Sequence, residues 1–127
     1  MLQVAQFGEK LIRHKQLKKA FRIMNWKILD SEQQFLDLLE KEAIFAVFKH
    51  STRCSISTMA KNRVEREWNL DFPIFYLDLL NYRTISNLIA KKSGIEHQSP
   101  QLIVFQNGLP IYDASHNGIV IDDILVS

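Results

Sequence analysis

The chain of 127 residues contains a single cysteine, Cys54, within the segment TRCSIS at residues 52–57. Ser57 follows the cysteine by three residues, which is one turn away if the segment is helical. In this Cys-x-x-Ser spacing a hydroxyl stands where a dithiol pair has its second sulfur. Because serine forms no disulfide, a mixed disulfide on Cys54 would have to be resolved by an external thiol.

The surrounding pattern predicts that Cys54 lies where a strand ends and a helix begins. Residues 43–48 form an almost unbroken apolar run, which is typical of a strand buried on both faces of a sheet. After the polar residues 50–53, apolar residues recur at helical spacing through about Leu70: Ile56, Met59, Ala60, Val64 and Trp68. We therefore predict a central strand, followed by a helix with Cys54 in its first turn.

This location favours a reactive thiol. Backbone N–H groups without intrahelical partners and the positive end of the helix dipole both favour the thiolate form. Arg53 adds a positive charge beside the sulfur, and Thr52, Ser55 and Ser57 make the segment polar. We predict that Cys54 is a nucleophile supported by Thr52, Arg53 and Ser57. The alternative is a buried, inert cysteine, the usual fate of a free cysteine.

The dipeptide Ser99-Pro100 precedes a predicted fourth strand at residues 102–105. Proline is tolerated in a sheet at the start of a strand, at an edge or at a bulge. A cis peptide bond here would face the Cys54 loop and leave the backbone of Ser99 free to pair with an extended substrate segment. The alternative is an ordinary trans proline at the start of a strand.

The other side chains that titrate near neutral pH are four histidines: His14, His50, His97 and His116. They are scattered along the chain, so their spacing predicts no metal site. His97 lies near Pro100 in sequence and is a candidate for sharing a proton with Cys54. A solvent-facing loop histidine is the alternative.

The first half of the chain beyond residue 24 predicts a strand and a helix. A short apolar run at residues 26–29 precedes Ser31 and Gln34, whose spacing is that of a capping box. The helix that they open has its apolar positions within residues 35–39. The apolar run at residues 43–48 then follows as the second strand.

The second half predicts a third strand at residues 72–80 and a helix at residues 84–92 that ends near Gly94. Asn107-Gly108 predicts a tight hairpin between the fourth strand and a fifth at residues 111–112. A last short helix is predicted after Gly118. The resulting order, β-α-β-α-β-α-β-β-α, predicts an α/β fold with a mixed sheet of four to five strands and helices on both faces.

Composition limits the class of protein. A content of 46% hydrophobic and 24% charged residues is that of one globular domain. No run approaches the roughly 18–20 consecutive apolar residues of a membrane-spanning helix, and the first 24 residues contain no secretory apolar region. Because a lone thiol fits a reducing compartment, we predict a cytoplasmic protein.

Residues 1–24 are predicted to be a basic helical extension of a domain at residues 25–127. Within them only Glu9 opposes six basic residues: Lys10, Arg13, Lys15, Lys18, Lys19 and Arg22. Contact with nucleic acid or an anionic membrane is one alternative. A translation start at Met24 is another, since the regular α/β pattern begins at Trp26. We predict a monomer that binds neither nucleic acid nor membrane.

Two segments, FKHSTRCSIS at residues 48–57 and HQSPQ at residues 97–101, resemble the monothiol bacilliredoxins of the YtxJ type. The resemblance extends from about Trp26 to the C-terminus. Members of this family typically carry Thr-x-Cys-Pro-Ile-Ser at the thiol, so Ser55 stands here in place of a proline. The resemblance implies a thioredoxin-like fold.

The same resemblance implies a reaction. Cys54 would attack the outer sulfur of a mixed disulfide between a protein and bacillithiol, release the reduced protein and keep bacillithiol as Cys54-S-S-bacillithiol. A second thiol would then clear Cys54. The implied co-substrate is bacillithiol or another small thiol, the implied partners are S-thiolated client proteins, and no bound cofactor is implied.

By analogy with glutaredoxin-like proteins, the acidic groups of the small thiol are expected at Asn117 and Gly118. There, backbone N–H groups at the start of the last predicted helix would hold carboxylates, with Arg53 as a charge partner. A plain helix cap is the alternative. Ser99 and Pro100 are the expected contacts for the remainder of the substrate.

Two other functions are compatible with the sequence. One is a noncatalytic thioredoxin-like module that binds a partner without turnover. The other is a carrier of a shared iron–sulfur cluster, as in monothiol glutaredoxins that use one cysteine from each of two subunits and two small thiols. The spacing permits a cluster, but the Cys-Gly-Phe-Ser sequence of those proteins is absent.

Overall fold

The computed structural model describes residues 24–125, in which strands and helices alternate until a final pair of consecutive strands. The predicted helical extension falls on residues 1–24 and lies outside this part except for Met24. The strands are β1 (Trp26–Ile28), β2 (Ile44–His50), β3 (Ile74–Asp78), β4 (Gln101–Gln106) and β5 (Leu109–Ser115). The α-helices are α1 (Glu32–Lys41), α2 (Ser55–Glu67) and α3 (Arg83–Ser93). Short 3-10 turns cover His116–Gly118 and Ile121–Asp123.

The five strands form one mixed sheet in the order β1-β3-β2-β4-β5. β3 is parallel to β1 and β2, whereas β4 is antiparallel to β2 and β5. β2 is therefore the central strand, as its apolar run predicts. Its last residues, Lys49 and His50, pair with Leu77 and Asp78 of β3. This mixed five-stranded sheet confirms the predicted α/β architecture.

Side chains of β2 alternate between two hydrophobic cores, because successive strand residues point to opposite faces of the sheet. Ala46 and Phe48 belong to the core that α2 covers through Ala60 and Val64. The residues between them, Phe45 and Val47, belong to the core that α1 and α3 cover with three side chains: Phe35, Ile85 and Ile89. Helices therefore cover both faces of the sheet.

The ends of α1 and α3 confirm the predicted capping signals. The Ser31 hydroxyl accepts a hydrogen bond from the backbone N–H of Gln34 at 3.0 Å. The Gln34 side chain accepts in return from the N–H of Asp30, also at 3.0 Å, one residue before the cap itself. α3 ends at Gly94, whose left-handed backbone (φ 75°) suits glycine.

The β4–β5 hairpin has the predicted tight turn at Asn107-Gly108. Both residues have positive φ, 52° and 80°, which is the requirement of a type I′ turn. A β-carbon on Gly108 would also lie 3.2 Å from the carbonyl oxygen of Leu39. The turn therefore needs glycine for conformation and for space.

The last helix predicted after Gly118 does not form as a continuous helix. After the 3-10 turn at His116–Gly118 the chain is extended at Ile119 and Val120, and a second 3-10 turn covers only Ile121–Asp123. The Tyr112 hydroxyl holds this extended stretch, accepting from the N–H of Val120 at 3.1 Å and donating to its carbonyl at 3.2 Å. Buried Ile119, Ile121 and Ile124 then reach the core without helical spacing.

Two further features differ from the prediction. The third strand is shorter than residues 72–80, because Phe72 and Pro73 precede it and the chain turns after Asp78. In α2, Ile56 and Met59 are 50% and 64% exposed, so the helix buries fewer of its apolar residues than their spacing predicts.

No helix within residues 24–125 combines the length and apolar content that crossing a bilayer requires.

Candidate functional site

Cys54 is the N-cap residue of α2 and is half-buried. Its backbone is extended (φ −112°, ψ 120°), and its carbonyl accepts the first helical hydrogen bond, from the N–H of Thr58 at 3.0 Å. Within residues 24–125 no hydrogen bond reaches its sulfur. Cys54 therefore lies one position before the predicted first turn. Its sulfur is not sealed in the core and makes no capping hydrogen bond to the backbone of α2.

The start of α2 is electrostatically suited to an anionic sulfur. The first N–H groups of a helix have no intrahelical acceptors, and the first turn of α2 contains no acidic residue. Thr52 and Arg53 are exposed in the turn directly before Cys54. Their predicted support of the thiolate stays a prediction, since neither side chain forms a hydrogen bond within the described part of the chain.

Ser57 is fully buried, and its hydroxyl is committed to the strand–helix connection. Its Oγ lies 2.7 Å from Nδ1 of His50 and accepts from the N–H of Ser51 at 3.0 Å. Burial, together with the positive charge of Lys61, lowers the pKa of His50. Ser57 thus anchors the segment that carries Cys54, and its partner His50 was not predicted from the sequence.

The Ser99-Pro100 peptide bond is cis, the first of the two alternatives that the sequence left open. Pro100 is buried, and its carbonyl accepts from the N–H of His116 at 3.1 Å. Among the described residues, neither backbone polar group of Ser99 takes part in a hydrogen bond. The backbone of Ser99 therefore has the free groups that pairing with an extended substrate requires.

The suggested pairing of His97 with Cys54 is wrong. Nε2 of His97 lies 2.9 Å from the Arg83 guanidinium, and Nδ1 lies 2.8 Å from the Ser86 hydroxyl. Both ring nitrogens are occupied, so His97 has none left for Cys54. Nor is it the solvent-facing loop histidine of the alternative, because its ring joins a polar cluster with α3.

Asn117 and Gly118 are exposed in the 3-10 turn after β5. The expected α-helix is missing, so this turn has no sustained helix dipole for a carboxylate. Arg63 of α2 reaches across it and donates to the carbonyls of His116 at 2.8 Å and Ile119 at 3.2 Å. Whether Asn117 and Gly118 contact the small thiol stays a prediction.

These residues meet at one edge of the sheet. The parallel strands β2 and β3 end there, α2 and α3 begin there, and antiparallel β4 starts there after Pro100. Cys54, Arg53 and the cis peptide bond at Pro100 therefore lie at this edge, together with the free backbone groups of Ser99. Such an edge supports attack by a thiol on an external disulfide.

Comparison with known proteins agrees with this geometry. Residues 27–124 match the profile of the family described as monothiol bacilliredoxin BrxC. A solved structure described as an oxidoreductase candidate with a thioredoxin fold is 31% identical, with a TM-score of 0.66, over 76% of this chain and 87% of that one.

Thioredoxins share the fold at lower identity. A variant of Halobacterium salinarum thioredoxin has a TM-score of 0.57 at 10% identity, over 76% of this chain and 80% of its own. Malassezia sympodialis thioredoxin has a TM-score of 0.56 at 18% identity, over 72% and 78%. With the match over residues 27–124, this chain belongs to the monothiol bacilliredoxin family of thiol–disulfide oxidoreductases.

Proposed function

We propose that this protein removes a low-molecular-weight thiol, bacillithiol in the first instance, from mixed disulfides on client proteins through Cys54. The observation that carries the proposal is the half-buried sulfur of Cys54 at the start of α2, with buried Ser57 in the position of a second thiol. A nucleophile without a resolving partner in its own chain fits monothiol exchange.

The exchange proceeds in two balanced steps. The Cys54 thiolate attacks the sulfur of the small thiol in client-S-S-R, so that the client leaves as a thiolate and Cys54-S-S-R forms. A second R-SH, as its thiolate, then attacks the R sulfur of Cys54-S-S-R, which yields R-S-S-R and returns the Cys54 thiolate. The helix start favours the anionic sulfur in the attacking and leaving roles.

Client binding is assigned to the loop at Ser99-Pro100 and to the first turns of α2. The free backbone groups of Ser99 suit pairing with an extended client segment. Ile56 and Met59 expose apolar surface on the helix that Cys54 begins.

We propose the reducing cytoplasm as the compartment, because a lone thiol stays reduced there.

A turnover assay tests this function. A client protein with one cysteine blocked by bacillithiol is incubated with free bacillithiol and a catalytic amount of this protein, and the released client thiol is measured over time. The wild type should release many equivalents per molecule, and Cys54→Ser should leave only the uncatalysed rate. Ser55→Ala, which changes an exposed neighbour, is the matched control.

Equal release with the wild type and Cys54→Ser would contradict the proposal. If both proteins also bound the client with equal affinity, the noncatalytic module would be the better account. Replacing bacillithiol with glutathione in the same assay separates thiol–disulfide exchange from specificity for one small thiol.

A further inference from the structure

A group of basic side chains lies where β2 and β3 end and α3 begins. We name Lys49, Arg83 and His97 the basic cluster. Nζ of Lys49 is 3.4 Å from Nδ1 of His97, and the Arg83 guanidinium is 2.9 Å from Nε2 of the same ring. The Ser86 hydroxyl completes the group, 2.8 Å from Nδ1 of His97.

The hydrogen bonds leave the Lys49 ammonium without an acceptor. Arginine only donates, so Nε2 of His97 accepts from Arg83, and the proton of the neutral ring is on Nδ1. Nδ1–H then donates to the Ser86 hydroxyl. Lys49 therefore faces a donor, and no other side chain or carbonyl within residues 24–125 accepts from it.

Among residues 24–125, no carboxylate pairs with these charges. The ion pairs among the described residues are Lys61–Glu65 and Arg66–Glu67, and neither involves the basic cluster. Lys49 is nevertheless 0% exposed. A buried ammonium without a counter-ion is rare, because its desolvation is uncompensated. Burial and Arg83 accordingly lower the pKa of Lys49 to about 8, and burial followed by Lys49 and Arg83 lowers that of His97.

The basic cluster adjoins the reactive edge. Lys49 precedes Cys54 by five residues and pairs in register with Gln101, the residue directly after cis Pro100. Arg83 is the first residue of α3 and is exposed, so a ligand at the edge can reach its guanidinium. The buried ammonium of Lys49 adds a positive field at the same edge, and the low-dielectric interior strengthens that field.

We infer that the basic cluster is an anion subsite that holds carboxylate groups of the small thiol exchanged at Cys54. Arg83 makes the direct contact, His97 positions the guanidinium, and Lys49 supplies buried positive charge. This inference rests on the proposed function. The basic cluster differs from the predicted pocket at Asn117 and Gly118. The cluster would bind carboxylates through charged side chains, whereas that pocket would bind them through backbone N–H groups.

The test compares one client peptide blocked with mercaptosuccinate, a dicarboxylate, and the same peptide blocked with neutral 2-mercaptoethanol. The ratio of kcat/KM for the anionic over the neutral mixed disulfide is measured. Arg83→Gln should lower this ratio about tenfold or more, because charge-assisted hydrogen bonds to a carboxylate are lost. Arg83→Lys should recover part of the ratio. Lys91→Gln, which removes the same charge eight residues further along α3, should leave the ratio at the wild-type value.

A binding measurement without turnover completes the test. In Cys54→Ser, titration with succinate should shift the NMR resonances of the His97 ring, and the additional change Arg83→Gln should abolish the shift. An unchanged ratio in Arg83→Gln, or no effect of succinate on His97, would overturn the inference. Wild-type protein that reacts with neither mixed disulfide would instead count against the proposed function, while the succinate titration would still decide on the subsite.

Discussion

The buried imidazole of His50 lies 2.7 Å from the Ser57 hydroxyl, Nδ1 to Oγ, and joins the end of β2 to the first turn of α2. The same hydroxyl accepts from the N–H of Ser51. One oxygen of α2 therefore bonds two residues at the end of β2 and fixes the loop between β2 and α2, which carries Cys54. The serine of the Cys-x-x-Ser spacing therefore has a structural role of its own.

Ser57→Ala should lower the free energy of unfolding by about 1–3 kcal/mol, because it leaves the half-buried N–H of Ser51 and the buried ring of His50 without a partner. Urea unfolding at pH 7 measures the change. Ser55→Ala is the control, because Ser55 is exposed and should move stability by less than about 0.5 kcal/mol. Equal effects of the two substitutions would contradict the structural role of Ser57.

Ser55→Pro should stabilise the fold by about 0.4–1 kcal/mol. Ser55 is the first residue of α2, where the N–H has no intrahelical acceptor and proline fits. The preceding Cys54 already has the extended backbone that a following proline requires. Thermal unfolding measures the gain, and a lower melting temperature would show that this turn cannot accept the family's proline.

Lys49→Met should raise the free energy of unfolding at pH 7 by on the order of 1–3 kcal/mol, since an apolar side chain replaces an uncompensated buried charge. The gain depends on pH. The pKa of Lys49 is about 8 in the folded protein, and an unfolded lysine titrates near 10.4.

Between these values the unfolded chain binds more protons than the folded one, so wild-type stability rises with pH. The advantage of Lys49→Met should therefore shrink from pH 8 to pH 10.5, as urea unfolding at several pH values would measure. Lys91→Met, at an exposed lysine, is the control and should give no such trend. A destabilised Lys49→Met protein at pH 7 would mean that the ammonium has a compensating partner.

Cys54 should react with iodoacetamide faster in the folded protein than in urea. The thiolate is the form that iodoacetamide alkylates, and the N–H groups at the start of α2 attract an anionic sulfur. Liquid chromatography with mass detection measures both rates, and the expected ratio is severalfold. Slower alkylation of the folded protein would mean that burial of the sulfur outweighs the helix dipole.

Local patterns predict most of the fold. The apolar run before His50, the capping signals at Ser31 and Gly94 and the turn at Asn107-Gly108 each depend on neighbouring residues, and all are confirmed. Cys54 at the start of α2 follows from the same local signals. The sequence left the isomer of Pro100 open, because both isomers are compatible with a proline at the start of a strand, and the structure shows the cis form.

Contacts between distant parts of the chain were beyond such patterns. Lys49 and His50 are polar residues after an apolar run, so their burial was not predicted, and their partners come from α2, α3 and the loop before β4. The prediction of a last helix failed for the same reason. The Tyr112 hydroxyl on β5 holds Val120 extended, and the pattern of residues 116–125 does not predict this contact.

The strongest test of thiol transfer to Cys54 follows the small thiol that leaves a client mixed disulfide. A client blocked with isotopically heavy bacillithiol is mixed with one equivalent of this protein, quenched with acid and analysed by mass spectrometry. Reduced client and the heavy thiol's mass on Cys54 are the expected products. Heavy thiol that remains on the client to the same extent with wild type and Cys54→Ser would contradict this transfer.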